Sequence, residues 1–270
     1  MDVKNHDTRP ISLPIKKIIK ETDTIWTFVF EYELGSLPGQ FVMLWIPGVD
    51  EKPFSVAFDD GNEFWLTICN VGPSTDELFK LKEGDKIGIR GPFGTAYEFK
   101  PGDHLALVSG GYGAAPMYNV AHEAVKAGCK VEFLTGARNK GLLLYGQRIL
   151  NLDDTDLHVS TDDGSAGHKG FITEVLKQVL ENEKIDKVFT CGPEVMMEAV
   201  CNIADEAGVA AFLSVEKYMK CGFGVCGQCS IDDTGVLACK KGPVMDWDKV
   251  KDLPEFGKYH RDAQGKKHNF

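Results

Sequence analysis

Four cysteines near the carboxyl end of the sequence have the type and spacing of metal ligands. Cys221, Cys226 and Cys229 lie within one short segment, and Cys239 follows ten residues after Cys229. A C-x4-C-x2-C run completed by one distal cysteine is typical of the thiolates that hold a [2Fe-2S] cluster. Glycines alternate with these cysteines and let the backbone adopt positive φ angles close to the inorganic core. The sequence therefore predicts that all four cysteines ligate a [2Fe-2S] cluster.

A structural zinc site is the alternative for the same four residues. Zinc ribbons usually present two C-x2-C knuckles, whereas one interval here is four residues and the closing cysteine is single. The spacing thus favours the iron–sulfur cluster. The remaining cysteines are scattered through apolar segments, and we expect free thiols at Cys69, Cys129, Cys191 and Cys201.

Length and charge limit what the chain can be. Its 270 residues suffice for about two domains and a small appendage. A net charge of -10 argues against nucleic acid and anionic membrane surfaces as partners. The first seven residues lack an apolar segment, and no apolar run reaches the roughly 18 residues of a membrane span. We therefore expect a cytoplasmic protein.

The first of three predicted domains, residues 1–100, is rich in short β-segments. These segments are rich in β-branched and aromatic residues and are separated by Gly, Pro and Asp turns, which favours an antiparallel β-barrel. A short helix is expected over residues 76–81. The predicted strands cover residues 9–15, 24–30, 41–46, 64–69 and 86–90.

Two motifs in this first domain could bind a ligand. One combines a cation, a rigid turn, an aromatic ring and a hydroxyl; the other places a glycine and hydroxyls where a helix begins, which suits a phosphate. Taken alone, the first also fits a strand entering a core, and the second fits a turn with a helix cap. The motifs are Lys52-Pro53-Phe54-Ser55 and Gly72-Pro73-Ser74-Thr75.

The second domain, residues 101–212, alternates apolar strands with helices. This alternation predicts a doubly wound parallel sheet. Strands are expected over residues 104–108, 130–135, 157–161 and 187–191, with a helix over 117–127. At the first strand-to-helix junction, a glycine-rich turn would let a pyrophosphate approach the backbone N–H groups, although a plain tight turn explains the same glycines. Those glycines are Gly110, Gly111 and Gly113.

The order of these motifs resembles the ferredoxin reductase superfamily, and this resemblance implies a bound FAD. It places Phe54 beside the flavin, Ser55 near its reactive edge and Lys52 at phosphate. Lys52 stands where that family usually has Arg, so a bidentate phosphate contact is lost. By the same resemblance, Thr67, Ile68 and Cys69 run beside the flavin, and Gly72, Ser74 and Thr75 belong to the pyrophosphate site.

The same resemblance implies a nicotinamide nucleotide site in the second domain. The glycine turn would bind one end of the nucleotide, and Cys191-Gly192-Pro193 would lie by the nicotinamide. Asp162 follows a strand where a carboxylate can hold ribose hydroxyls, although without that context it is an acidic turn. A single cation after the second strand, Arg138, does not establish a site for a 2′-phosphate. We expect NAD.

The third domain, residues 213–270, carries the cluster motif. A short hairpin over residues 230–238 is expected to return Cys239 to the irons. The tail from residue 254 onward is charged and mixed, which favours a frayed end, while its aromatic residues make contact with a partner conceivable.

Across nearly its whole length, the chain resembles the electron transfer subunits of type B dihydroorotate dehydrogenases. That resemblance implies an FMN-containing catalytic partner, a heterotetramer of two subunits of each kind, and a path from dihydroorotate through FMN, the cluster and FAD to NAD+ in pyrimidine synthesis. The residues agree with this path, since no acid/base pair for a substrate is evident, whereas every part of an electron relay is.

The flavin subunit of a soluble hydrogenase or of a ferredoxin:NADP oxidoreductase complex is an alternative, because it shares these modules. A zinc-stabilised nucleotide-binding regulator is the non-enzymatic alternative.

Overall fold

The computed structural model describes residues 9–232, 234–262 and 264–270. Residues 9–100 form strands and one short helix: β1 (Ile11–Pro14), β2 (Lys17–Lys20), β3 (Ile25–Glu31), β4 (Phe41–Ile46), β5 (Asp50–Ser55), β6 (Phe58–Asp59), β7 (Glu63–Cys69), α1 (Pro73–Leu78) and β8 (Lys86–Phe93). These strands build two antiparallel four-stranded sheets, in the orders β1-β8-β4-β5 and β2-β3-β7-β6.

Strand β7 shows how the sequence pattern orients side chains in this region. Phe64, Leu66 and Ile68 are at most 1% exposed and belong to the barrel core. The residues that alternate with them, such as Thr67 and Cys69, are only half-buried. Because successive side chains of a strand point to opposite faces, Thr67 and Cys69 face away from that core.

The middle of the chain is an α/β unit with helices on both faces of a sheet. Its elements are β9 (His104–Gly110), α2 (Ala114–Lys126), β10 (Lys130–Ala137), α3 (Gly146–Leu150), β11 (Thr155–Thr161), β12 (His168–Lys169), α4 (Ile172–Asn182), β13 (Lys187–Cys191), α5 (Glu194–Glu206) and β14 (Ala210–Ser214). Helices α2 and α3 share one core with the sheet, and α4 and α5 share the other. The predicted combination of antiparallel barrel and doubly wound sheet is confirmed.

The C-terminal region supplies one strand of this sheet. It contains α6 (Ala238–Lys241), β15 (Val244–Asp246), β16 (Tyr259–Arg261) and β17 (Lys267–Asn269). The seven-stranded order is β12-β11-β10-β9-β13-β14-β15, in which β15 alone runs antiparallel to its neighbour. Strand β14 continues to Ser214, past the boundary expected at residue 212. The cluster region is therefore built onto the sheet.

The described part of the tail is folded, so the expected frayed end is wrong there. Strands β16 and β17 pair as an antiparallel hairpin. Phe256 is 4% exposed and contacts Trp247, with ring centroids 6.1 Å apart. Composition suggested fraying because it does not reveal which long-range partners a charged segment will meet.

No helix in the described part of the chain combines the length and apolarity needed to cross a membrane.

Candidate redox site

The four predicted cluster cysteines lie together. Cys221 interacts with Cys226, and Cys239 interacts with both Cys229 and Cys221. All four are free of disulfides. The expected hairpin that returns Cys239 is present as a short antiparallel pairing among the described residues: Ser230 pairs with Leu237, Ile231 N donates to Val236 O at 2.8 Å, and Ala238 N donates to Cys229 O at 3.1 Å. Helix α6 follows directly.

Backbone N–H groups point at the sulfurs of this loop. Val225 N and Cys226 N lie 3.4 and 3.5 Å from Cys221 Sγ, and Cys239 N lies 3.4 Å from Cys229 Sγ. Burial raises the pKa of Cys221, but these donated hydrogen bonds outweigh burial and lower the pKa to about 6. A thiolate is the form that binds iron, so the donor set fits a [2Fe-2S] cluster.

Glycine is needed at Gly222 and Gly224 because the loop packs closely against its neighbours. Their φ angles are +80° and +91°. A Cβ at Gly222 would lie 2.7 Å from Cγ of Met43 in β4, and one at Gly224 would lie 2.7 Å from Cγ of Lys240. The cluster loop is thus seated directly on the barrel.

A cleft between the barrel and the α/β sheet collects many of the residues predicted for the flavin and the nicotinamide. One wall comes from the ends of β5 and β7, and the opposite wall comes from the end of β13. The predicted residues that line the cleft are Pro53, Phe54, Ser55, Thr67, Ile68, Cys69 and Cys191. Burial, followed by the charge of Glu216, raises the pKa of Cys191 to about 12, so this side chain is a neutral thiol.

Several residues of the cleft were missed from the sequence. Tyr112 lies inside the glycine turn, and its hydroxyl hydrogen-bonds to the carboxyl group of Glu216. Desolvation raises the pKa of Glu216. Some of these residues could have been predicted from their place in the sequence, because residues 214–219 connect β14 to the cluster loop and must pass the edge of the sheet. The additional lining residues are Phe41, Val71, Tyr112, Pro116, Ser214, Val215, Glu216, Lys217, Met219 and Pro243.

The two predicted nucleotide turns contact each other. A Cβ at Gly113 would lie 2.2 Å from the carbonyl oxygen of Cys191, and one at Gly110 would lie 2.6 Å from Sδ of Met196. The contact follows from topology, because β9 and β13 are parallel neighbours whose carboxyl ends meet at one edge. Gly111, Gly192 and Pro193 belong to the same two turns, while Asp162 is exposed at the end of β11 along that edge.

The predicted phosphate residues lie outside the lining of the cleft. Lys52 Nζ is 2.8 Å from Asp50 Oδ2 and 3.0 Å from the Tyr218 hydroxyl, and Ser74 Oγ donates to Asp50 at 3.1 Å. The charge of Lys52 is therefore partnered by Asp50.

The Thr75 hydroxyl is also committed within the protein. It accepts hydrogen bonds from Val71 N and Gly72 N, at 2.9 and 3.0 Å, and donates to Gly72 O at 2.9 Å. Thr75 is 7% exposed. The hydroxyl therefore shapes the turn that begins α1, and Gly72 is part of that turn.

A hydrogen-bonded group anchors the cleft wall to the α/β unit. The Tyr145 hydroxyl lies 2.6 Å from Thr67 Oγ1, which is 2.8 Å from Thr27 Oγ1. Burial raises the pKa of Tyr145 to about 12. Arg148 lies over the Tyr145 ring and forms a salt bridge with Glu21. These contacts hold Thr67 at the junction of the two units.

Comparison with known proteins identifies the family. Residues 216–251 match the iron–sulfur cluster binding domain of dihydroorotate dehydrogenase B, and residues 107–202 match the oxidoreductase NAD-binding domain. The protein of Methanocaldococcus jannaschii named probable dihydroorotate dehydrogenase B (NAD(+)), electron transfer subunit, is 49% identical over 96% of this chain and 98% of that relative. This chain belongs to the dihydroorotate dehydrogenase B electron transfer subunit family. A relative of the same name from Methanocella arvoryzae is 44% identical over 96% of this chain and 98% of its own.

Solved structures agree with this assignment. A chain of the NADH-dependent reduced ferredoxin-NADP oxidoreductase is 30% identical, with a TM-score of 0.79, and the match covers 89% of this chain and 92% of that one. Phthalate dioxygenase reductase is 20% identical with a TM-score of 0.58 over 73% of this chain and 64% of that one, which shows the shared fold. The predicted cofactors, FAD, a [2Fe-2S] cluster and NAD, are confirmed by these family and structure matches.

Proposed function

We propose that this chain passes electrons from the FMN of a dihydroorotate-oxidising subunit through its [2Fe-2S] cluster and FAD to NAD+, in the synthesis of UMP. The observation that carries the proposal is the position of Phe41. This residue packs in the core beneath the cluster loop and also lines the cleft. Cluster loop, cleft and nicotinamide turn therefore follow one another through the molecule.

The chemistry requires this order. A [2Fe-2S] cluster carries one electron at a time, NAD+ accepts a hydride, and a flavin exchanges with both. The chain's own residues would hold these groups in place. Cys221, Cys226, Cys229 and Cys239 would ligate the cluster, as the amides directed at their sulfurs support.

We assign the flavin ring to the cleft, beside Pro53, Phe54, Ser55, Thr67, Ile68 and Cys69. The turn at Gly72, Ser74 and Thr75, together with Lys52, would lie at the phosphates. Lys52 forms a salt bridge with Asp50. To bind Lys52, a phosphate would therefore have to compete with the Asp50 carboxylate for the Lys52 ammonium group. Residues 1–100 would thus form the FAD domain, residues 101–212 the NAD domain and residues 213–270 the cluster module.

We assign the nicotinamide nucleotide to the two turns that contact each other after β9 and β13, at the carboxyl edge of the sheet. Gly110, Gly111 and Gly113 would receive the pyrophosphate, and Cys191, Gly192 and Pro193 would lie by the nicotinamide. Asp162 would bind ribose hydroxyls, since it is exposed at the end of β11. Arg138 follows the second strand as a single cation, which does not establish a 2′-phosphate site, so we propose NAD as the nucleotide.

The partner would dock over the cluster loop. Val225 is 76% exposed, and the neighbouring Cys226 is also exposed. An apolar tip beside a cluster ligand suits a protein partner that must bring its own cofactor close. The assembly would be a cytoplasmic heterotetramer of two catalytic and two electron transfer subunits.

A second candidate is supported by the 30% identity to a chain of the reduced ferredoxin-NADP oxidoreductase. In that case, the partner would oxidise something other than dihydroorotate. Affinity purification of the tagged chain from its own cells, with identification of the bound subunit, separates the two. Recovery of an FMN subunit whose complex with this chain reduces NAD+ with dihydroorotate supports the first function. Recovery of hydrogenase or ferredoxin-oxidising subunits would replace it with the second.

A further inference from the structure

The first part of the C-terminal tail is bound to elements of the redox site. The Glu255 carboxylate forms a salt bridge with Lys217 at 2.7 Å and accepts a hydrogen bond from Asp232 N at 3.1 Å. Gly257 N donates to Glu194 Oε2 at 3.2 Å. Lys217 lines the cleft, Asp232 lies between two cluster cysteines, and Glu194 follows the nicotinamide turn. One segment therefore contacts all three parts of the site.

The ion pair in this segment is buried. The side chain of Lys217 is 9% exposed, and that of Glu255 is 2% exposed. A buried charge acts over a longer range than a surface charge, because little water screens it. Removing one member of such a pair leaves the other uncompensated, whereas replacing both with apolar residues is often tolerated.

We propose that Glu255 sets the charge of the flavin cleft by neutralising Lys217, and that the tail thereby tunes the reduction potential of FAD. This inference rests on the proposed placement of the flavin in the cleft. A reduced flavin carries more negative charge than an oxidised one, so an uncompensated cation beside it favours reduction. An uncompensated carboxylate opposes reduction.

Other ionisable groups around Lys217 could substitute for Glu255, and the experiment must control for them. Glu216 is the next residue along the chain and lines the cleft with Lys217. Burial raises the pKa of Glu194 to about 7, and the charge of Lys217 acts against that rise. The charge of Glu255 adds to that rise, so Glu194 can ionise once Glu255 is replaced, and Glu194→Gln is therefore included in every variant and in the reference protein.

The test is a redox titration of FAD in the intact complex, followed by absorbance above pH 7, where the reduced flavin is an anion. Glu255→Gln should raise the FAD potential, with a roughly tenfold change in the ratio of reduced to oxidised flavin, or about 30 mV for a two-electron couple. Lys217→Met should lower the potential, and the double variant Lys217→Met/Glu255→Gln should restore it. Glu255→Asp should stay near the value of the reference protein.

Asp232→Asn is the matched control for simple loosening of the tail. The Asp232 side chain binds Tyr259 and Arg261. Its replacement removes these contacts but leaves the Lys217–Glu255 salt bridge intact, so the reduction potential of FAD should not change. An unchanged potential in both single variants, with FAD retained, would overturn the role of Glu255. A Ser55→Trp variant tests the placement separately: if it keeps FAD, the flavin does not occupy the cleft.

Discussion

Gly113 sits against the carbonyl oxygen of Cys191, so close that a Cβ at Gly113 would lie 2.2 Å from that oxygen. Its φ of -60° is ordinary for any residue, so the need for glycine here is a matter of space and not of backbone conformation. The two turns that we assign to the nicotinamide nucleotide therefore hold each other in position.

Gly113→Ala should force these turns apart. We expect a loss of about 1–3 kcal/mol in stability, as for overpacking elsewhere, and roughly tenfold weaker NADH binding. Gly146→Ala is the matched control, because a Cβ at Gly146 would meet no atom within 4 Å. Fluorescence titration with NADH and thermal denaturation measure the two effects. Equal behaviour of the two variants would contradict the packing argument.

Replacing any of Cys221, Cys226, Cys229 or Cys239 with Ser should abolish or strongly alter the EPR signal of the reduced [2Fe-2S] cluster. A serine oxygen cannot reproduce the thiolate donor set that the amides of this loop support. Cys201→Ser is the control, because Cys201 is buried in α5 away from the loop. If Cys201→Ser lost the signal as the other variants do, the ligand assignment would be wrong.

Thr75→Ala should destabilise the turn before α1 and weaken FAD retention. The hydroxyl makes three hydrogen bonds within this turn, and loss of such a capping group costs about 0.5–2 kcal/mol. Thr75→Ser keeps the hydroxyl and should retain FAD. Equilibrium dialysis of FAD from both variants makes the comparison; equal retention by Ala and Ser would show that the hydroxyl does not matter to the flavin site.

Glu194 should make stability depend on pH. Burial raises its pKa from 4.5 to about 7 in the folded protein, so the folded state holds the proton more tightly than the unfolded state does. Stability therefore falls as the pH rises from about 4.5 through about 7, by on the order of 3 kcal/mol. In Glu194→Gln, this part of the decline should vanish from a series of Tm measurements. A decline as steep as that of the wild type would exclude Glu194 as its source.

Local patterns predicted most of the fold and the core of the site. The spacing of Cys221 to Cys239 specified the cluster loop, and alternating burial along β7 explains why Thr67 and Cys69 face the cleft. Two contacts could not be predicted this way: the hydrogen bond between Tyr145 and Thr67 and the salt bridge between Glu255 and Lys217. Each joins residues far apart in sequence, which no short-range period encodes. The partnering of Lys52 by Asp50 was also missed, although residues two apart in a strand share a face and the period of two would have predicted the pair.

In the proposed path, the cluster lies between the partner's FMN and the FAD of this chain. The decisive measurement uses a Cys226→Ser subunit that lacks the cluster but retains FAD, mixed with the catalytic subunit. NADH should still reduce an artificial acceptor through FAD at the wild-type rate, because that step involves the cleft and the nicotinamide turns only. Reduction of NAD+ by dihydroorotate should be lost. If dihydroorotate still reduced NAD+ at the normal rate, electrons would bypass the cluster and the proposed path would be wrong.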